Sequence, residues 1–204
     1  SRPLATSLGY TSMDENIGAL KNTGFEIDLK GTLIHTRDFM WRMGVNLTHY
    51  KNVVTDLPLK DMPVTGVTRL KEGRSVYDFY LREWAGVDPD NGDPLWYKNV
   101  KDEQGNITGR TTTNDYAQAD YYYVDKSSLP KVYGGFNTAF SYKGFELSAI
   151  FAYSIGGYIV DRDVTMLWSN GSNPGRAWST EILKRWTPEN RYTDVPALKT
   201  VSNN

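Results

Sequence analysis

Residues 22–52 read NTGFEIDLKGTLIHTRDFMWRMGVNLTHYKN, two long runs joined by three turn residues, Thr36, Arg37 and Asp38. In the first run Phe25, Ile27, Leu29, Gly31 and Leu33 fall on one side, and Glu26, Asp28, Lys30 and Thr32 fall on the other. That is the two-residue period of a pleated strand. The second run repeats it: Phe39, Trp41, Met43, Val45 and Leu47 oppose Met40, Arg42, Gly44, Asn46 and Thr48, with Met40 the one exception. Each run reaches the length of about 9 residues that carries a tilted strand across a bilayer. A soluble half-buried sheet shows the same alternation, so other features must decide between them.

Working outward, a second hairpin reads KVYGGFNTAFSYKGFELSAIFAYSIGGY. Phe136, Phe140 and Tyr142 alternate with small and polar residues, and Phe145, Leu147, Ala149, Phe151, Tyr153 and Ile155 do so after the Lys143-Gly144 turn. Between the hairpins, Ser75–Val87 predicts a third strand with Tyr77, Phe79, Leu81 and Ala85 on one side and Glu83 interrupting it. VDPDNGDP then predicts a compact turn, Leu95–Val100 a returning strand, and Gly105 a small hairpin inside a polar excursion that runs to Ser128. After Tyr50 the alternation dissolves, and Pro58, Pro63 and Gly66 predict a long connection. Residues 1–21 read as a strand end and an irregular loop. Beyond Gly156 the chain reads as loop with one short helix, capped by Asn173, opened by Pro174, carrying Trp178, Ile182 and Trp186 on one side and stopped by Pro188.

Composition excludes several classes. Among 204 residues the formal net charge is -1 and no basic run occurs, which argues against a nucleic-acid partner. There is no cysteine, hence no disulfide framework and no thiol chemistry. No run approaches 18 apolar residues, the length expected of a membrane helix. A barrel strand exposes only every second residue to lipid and escapes that test. The 14 Tyr and 6 Trp suit a boundary between apolar and wet surroundings, either a membrane interface or a carbohydrate surface. Connections that alternate short (36–38, 89–92, 143–144) and long favour a membrane barrel, whose turns are short on one side and elaborate on the other.

The blocks NIGALKNTGFEIDL, DFMWRMGVNLTHYKNVV, EGRSVYDFYLREWAGVDPDNGDPLWY, PKVYGGFNTAFSYKGFELSAIFAYSIGGY and RWTPENRYTDVPAL, in that order, resemble the late barrel region of SusC/RagA-type TonB-dependent outer-membrane transporters of Bacteroidetes-like bacteria. The resemblance implies an all-β fold, an antiparallel transmembrane β-barrel segment with long extracellular loops and one short loop helix, within a barrel of about 22 strands. On that reading residues 1–204 are a partial barrel domain, with the plug and the final strands absent and the chain a segment of a longer protein. The implied function is energised import of glycan or peptide oligomers. Its implied partners are outer-membrane lipid, a SusD-like surface lipoprotein, and the TonB complex reached through the missing N-terminal part. A secreted carbohydrate-binding or hydrolysing β-domain and a passive porin are the alternatives.

Little in the chain suggests bond chemistry, and no enzyme activity, metal or cofactor is expected. Asp88, Asp90 and Asp93 invite a calcium reading, but counting from Asp88 puts Gly92 fifth and Asn99 twelfth, off the EF-hand pattern. A carboxylate pair drawn from Asp88, Glu83 and Glu103 has no defined separation in the sequence. His35 and His49 lie at opposite ends of the first hairpin and cannot share an ion. The ring-bearing loop residues Tyr116, Tyr121, Tyr122, Tyr123, Trp168 and Trp178 are the candidate contacts for substrate or lid, since flat rings receive the apolar face of a sugar or peptide. Phe39, Trp41, Tyr142 and Phe145 read instead as an interfacial girdle.

Overall fold

A computed structural model describes residues 2–3, 12–13, 18–59, 62–168, 175 and 177–199. Arg2–Pro3 (β1) and Ser12–Met13 (β2) form a short antiparallel pair. The two alternating runs become Ala19–His35 (β3) and Phe39–Asp56 (β4), strands of 17 and 18 residues. The alternation fails after Tyr50, yet the strand continues for six more residues, because the backbone of β3 pairs with it as far as Ala19 and Asp56. Past the insertion that follows, Val132–Tyr142 (β10) and Phe145–Ile155 (β11) complete a four-stranded antiparallel sheet in the order β11-β10-β4-β3.

Register carries the alternation across all four strands. Leu29 faces Val45, Val45 faces Phe136 and Phe136 faces Phe151, while Ile34, Trp41, Phe140 and Leu147 form a second row. One residue away the rows are polar or small: Asp28, Asn46, Gly135 and Ala152, then Thr32, Arg42, Ala139 and Ser148. Because Ala139 is small, Arg42 reaches across β10 to Glu146 on β11 at 3.3 Å. A bulge between Thr32 and Ile34 takes up Leu33 as an extra residue and keeps the apolar row intact. The apolar band from Phe39 to His49 covers about 33 Å along the strand, or roughly 25 Å of height at the tilt usual in barrels.

Glycine is required where the sheet is tightest. A Cβ on Gly134 would lie 2.1 Å from the Asn46 carbonyl, and the Tyr153 hydroxyl donates to that same carbonyl at 2.8 Å, so the tyrosine side chain covers the bare glycine. At the hairpin tip Lys143 and Gly144 have φ of 47° and 90°, the two positive angles of a type I′ turn, where glycine alone was expected to need one. The Lys143 N–H donates to the Asp38 carbonyl at 3.0 Å, which ties the two tight turns together at one end of the sheet.

One expectation needs correction. β4 and β10 are direct neighbours, so residues 57–131 are a single connection rather than a succession of membrane strands, and the tight turn at 89–92 lies within it. The supposed strand 75–87 divides into Asp78–Arg82 (β5) and Trp84–Val87 (β6) at Glu83, whose carbonyl accepts the Tyr97 N–H and whose carboxylate meets Arg110. β6 joins Pro94–Lys101 (β7) and Ile107–Thr113 (β8) in a meander, with Gly105 in the turn as expected. β5 pairs with Tyr121–Ser127 (β9), a strand hidden in what read as polar excursion.

The chain divides into two compact units, residues 1–79 with 125–158, and residues 80–124 with 159–204. In the first, Asn52 is buried; it donates to Asn22 and accepts from the Ser75 hydroxyl and the Val76 N–H, fastening the start of the insertion to β4 beside fully buried Val54. In the second, the only α-helix among the described residues is Arg162–Leu167 (α1), capped by Asp161, where loop was expected. The expected helix is instead a 3-10 turn, Thr180–Lys184, capped by Ser179; Asn173 and Pro174 lie outside the described residues. Ile182 and Val195 are buried, Trp186 donates from its indole to the Pro89 carbonyl, and the Ala197 N–H donates to the Gly92 carbonyl. Two of the quoted sequence blocks, VDPDNGDP and RWTPENRYTDVPAL, are therefore packed on each other.

Candidate functional site

Two surfaces stand out, one in each unit. The first is the four-stranded sheet itself. Phe145, Leu147 and Leu29 are 81%, 69% and 66% exposed, and Phe25, Ile27, Leu33 and Phe151 are exposed beside them on the same face. No second sheet or helix among the described residues covers that face. Fully burying a large apolar side chain contributes about 1.5–3 kcal/mol, so these seven, 45–81% exposed, forgo roughly 6–12 kcal/mol in water, comparable with a whole domain's stability. Lipid is the medium that removes the cost. The expected girdle residues Phe39, Trp41, Tyr142 and Phe145 lie at the tight-turn end of this face, with Trp41 stacked on Phe140 at 5.4 Å and its indole donating to Thr138 at 2.9 Å. His35 is close to that end, whereas His49, against Phe25, hydrogen-bonds the Lys131 carbonyl near the other.

The second surface is built from rings and two arginines. Tyr80, Arg82 and Trp84 sit at alternate positions, opposite the side that Tyr77, Phe79 and Leu81 define, and Tyr121 and Tyr123 alternate likewise on β9. The Arg82 guanidinium lies over the rings of Tyr116 and Tyr121, at 4.2 and 4.7 Å. Tyr121 stacks on Tyr80, which meets Tyr123; on the other side Tyr116 meets Trp96 edge-on, and Trp96 meets Trp84. Tyr116 and Trp84 are exposed and the other members half-buried.

Tyr122 belongs to a separate cluster. Its hydroxyl donates to Asn99 at 2.9 Å, and its ring, with that of Tyr97, receives the Arg110 guanidinium at just over 4 Å. Arg110 also holds Glu83 at 2.6 Å, and that contact raises its pKa above the ordinary arginine value. Arg82 differs: its Nε donates to the Ala119 carbonyl at 3.2 Å, and no carboxylate among the described residues lies within ion-pair distance. Tyr116 is positioned by a 3-10 turn, Tyr116–Gln118, capped by Asp115, whose pKa is lowered chiefly by the Gln118 side-chain amide and then by the Ala117 N–H.

Of the six ring-bearing candidates, Tyr116, Tyr121 and Tyr123 thus share one strip and Tyr122 lies in the other cluster. Trp168 closes α1 and Trp178 precedes the 3-10 turn; they flank the hydrogen bond from the Ser179 N–H to the Leu167 carbonyl and are both exposed. Arg82, Trp84 and Trp96 are not among the six candidates because the strand at 75–87 reads by its Tyr77 face and the strand expected at 95–100 shows no marked face. The alternation Tyr80-x-Arg82-x-Trp84 was the available signal.

The acidic turn is a structural device. The Asp88 carboxylate accepts from the Asp90 N–H and the Asn91 amide, and Asp93 is held by Lys199 and Asn114. The Lys199 contact, then Asn114, keeps the Asp93 pKa below the usual carboxylate range despite its burial. Glu83 is committed to Arg110, so it is not half of an acid pair with Asp88.

No family model matches the chain. It is 28% identical to TonB-dependent receptor P3 of Formosa agariphila over 96% of its own length and 20% of that protein's. It is 28% identical to TonB-dependent receptor SusC of Bacteroides thetaiotaomicron over 77% of its length and 16% of that protein's. Among solved structures, the RagAB peptide transporter matches all of the chain and 23% of its own chain, with a TM-score of 0.81 and 30% identity. The chain spans about a fifth of the length of the relatives it matches. It is similar in sequence and fold to SusC/RagA-type TonB-dependent receptors, matches their barrel fold, and shares their place in the bacterial outer membrane.

Proposed function

We propose that residues 1–204 form part of the barrel wall and outer loops of a TonB-dependent importer, working with a SusD-like surface lipoprotein to take up peptide or glycan oligomers. The observation that carries this reading is the apolar face of β3, β4, β10 and β11, covered by nothing among the described residues and backed by a charged face. A secreted β-domain would have to leave that face in water, which favours the membrane reading over it. Both long connections, 57–131 and the one after Ile155, leave the sheet at the end opposite its tight turns, as external loops do in barrels. In this reading the charged face, with Glu26, Asp28, Lys30 and Arg42, lines a wet interior, and the loops hold ligand or lid while the TonB complex drives passage. The wall segment makes and breaks no bonds.

Uptake of labelled oligopeptides and oligosaccharides by cells carrying the full-length protein tests this. Import that stops when the proton gradient is collapsed, and that requires a co-purifying surface lipoprotein, is the expected result. Uptake that persists without the gradient would make the protein a passive porin.

A further inference from the structure

We infer that the edge of the Arg82 guanidinium, framed by Tyr116 and Tyr121, binds the carboxylate of an acidic sugar. The inference rests on the importer reading and names the substrate class for it.

The two arginines of the second unit supply the contrast. Each lies over two tyrosine rings, but Arg110 is neutralised by Glu83 at 2.6 Å, whereas Arg82 has Nε on a neutral carbonyl and no acid partner among the described residues. The two rings lie 4.2 and 4.7 Å from the guanidinium carbon and Ala119 takes its Nε. The Nη1–Nη2 edge makes no hydrogen bond among the described residues, which leaves two parallel donors in the plane that fits a carboxylate bidentately. A half-buried cation with no counter-charge among the described residues gains from a bound anion that water alone does not match.

The surroundings choose the kind of anion. On either side of the arginine the strip continues as ring surface, Tyr116 to Trp96 to Trp84 in one direction and Tyr121 to Tyr80 in the other. A pyranose bearing a ring carboxylate presents an apolar C–H face and a rigid carboxylate within one residue, so it matches rings and fork together. An oligomer of such sugars repeats the match along the strip. An acidic peptide carries its carboxylate on a flexible stem and brings backbone amides that need partners, which a surface of rings does not supply. Nearby polar groups are already engaged: Gln118 is bridged between Lys98 and Asp115.

The test uses the full-length protein in detergent and measures binding of galacturonate, glucuronate and guluronate oligosaccharides, each beside its carboxyl-reduced neutral counterpart. At least one acidic oligosaccharide is expected to bind more tightly than its neutral form by roughly 10- to 100-fold, the weight of a charge-assisted contact. Arg82→Met should erase that preference, Arg82→Lys should restore only part of it, and Arg110→Met should leave it intact. Trp84→Ala should weaken acidic and neutral forms alike. Equal affinity for acidic and neutral forms, a preference that survives Arg82→Met, or Arg82-dependent binding of an acidic peptide with no uronate binding would each overturn the proposal. Gel mobility of the folded form shows that each variant is folded. If energised uptake of other oligomers persists while uronates fail to bind, this inference alone falls; loss of outer-membrane insertion would instead remove the importer reading.

Discussion

The four-stranded sheet of the first unit and the small sheets of the second are made of similar residues, yet they solve the burial problem in opposite ways. In the former the apolar side chains of Leu29, Leu147 and Phe145 point outward with nothing among the described residues over them. In the latter Ala119, Ile182 and Val195 are buried, and arginines and rings cover one another. The difference teaches that the period-two pattern says which side chains share a face but not which medium that face meets. Length and covering decide the medium. Strands of 17 and 18 residues with no second layer among the described residues need lipid, whereas strands of 4 to 8 residues clasped by turns build a core of their own.

The sharpest way to break this comparison is a charge on the outward face. In the full-length protein refolded into lipid vesicles, Leu29→Arg should cost about 2–4 kcal/mol near mid-membrane, while Asp28→Arg, one residue away on the charged side, should cost almost nothing. Urea titration of the folded fraction checks this, and equal costs would contradict the facing of β3. Gly134→Val comes next, since its Cβ would meet the Asn46 carbonyl at 2.1 Å; overpacking of this kind costs roughly 1–3 kcal/mol and should loosen β4 from β10. Unfolding by the same titration should shift, and an unchanged midpoint would mean the strands lie farther apart.

Asn52→Ala removes the donor to exposed Asn22 and the acceptor for half-buried Ser75 and Val76, at a cost of about 1–2 kcal/mol. Faster amide exchange at Val76, with β10 and β11 unaffected, is the expected signature. The smallest effect belongs to the second unit. The lowered pKa of Asp93 means that its ion pair with Lys199 stabilises above the ordinary carboxylate value and is lost as pH falls through the lower folded value. Proteolysis of residues 186–199 should therefore rise only under acid conditions, and Asp93→Asn should produce the same cleavage at neutral pH, for a loss of about 1 kcal/mol.

Which parts the sequence revealed follows from how local the signals are. Both long hairpins, their turns at 36–38 and 143–144 and the compact turn at 88–93 were readable, because alternation and turn chemistry act over a few neighbouring residues. The pairing of β4 with β10 is a contact across about 90 positions and leaves no local trace, so the insertion was read as several membrane connections. Glu83 was noted as an interruption, but that it splits the strand depends on Tyr97 and Arg110, which lie elsewhere in the chain. Of the site, the tyrosines were visible as a cluster. Their division between Arg82 and Arg110 was not, because it depends on β9 pairing with β5.

The absence of native cysteine in these 204 residues makes one measurement direct. Single cysteines placed in turn at positions 25–33 and 39–47 of the full-length protein, spin-labelled in lipid bilayers, report access to oxygen, which concentrates in lipid, and to a water-soluble nickel chelate. Labels at 27, 29, 43, 45 and 47 should favour oxygen and those at 26, 28, 30, 42 and 46 the chelate, in strict alternation. Access that does not alternate, or shielding of the first set from both reagents, would mean that another protein layer covers the apolar face and would contradict the account.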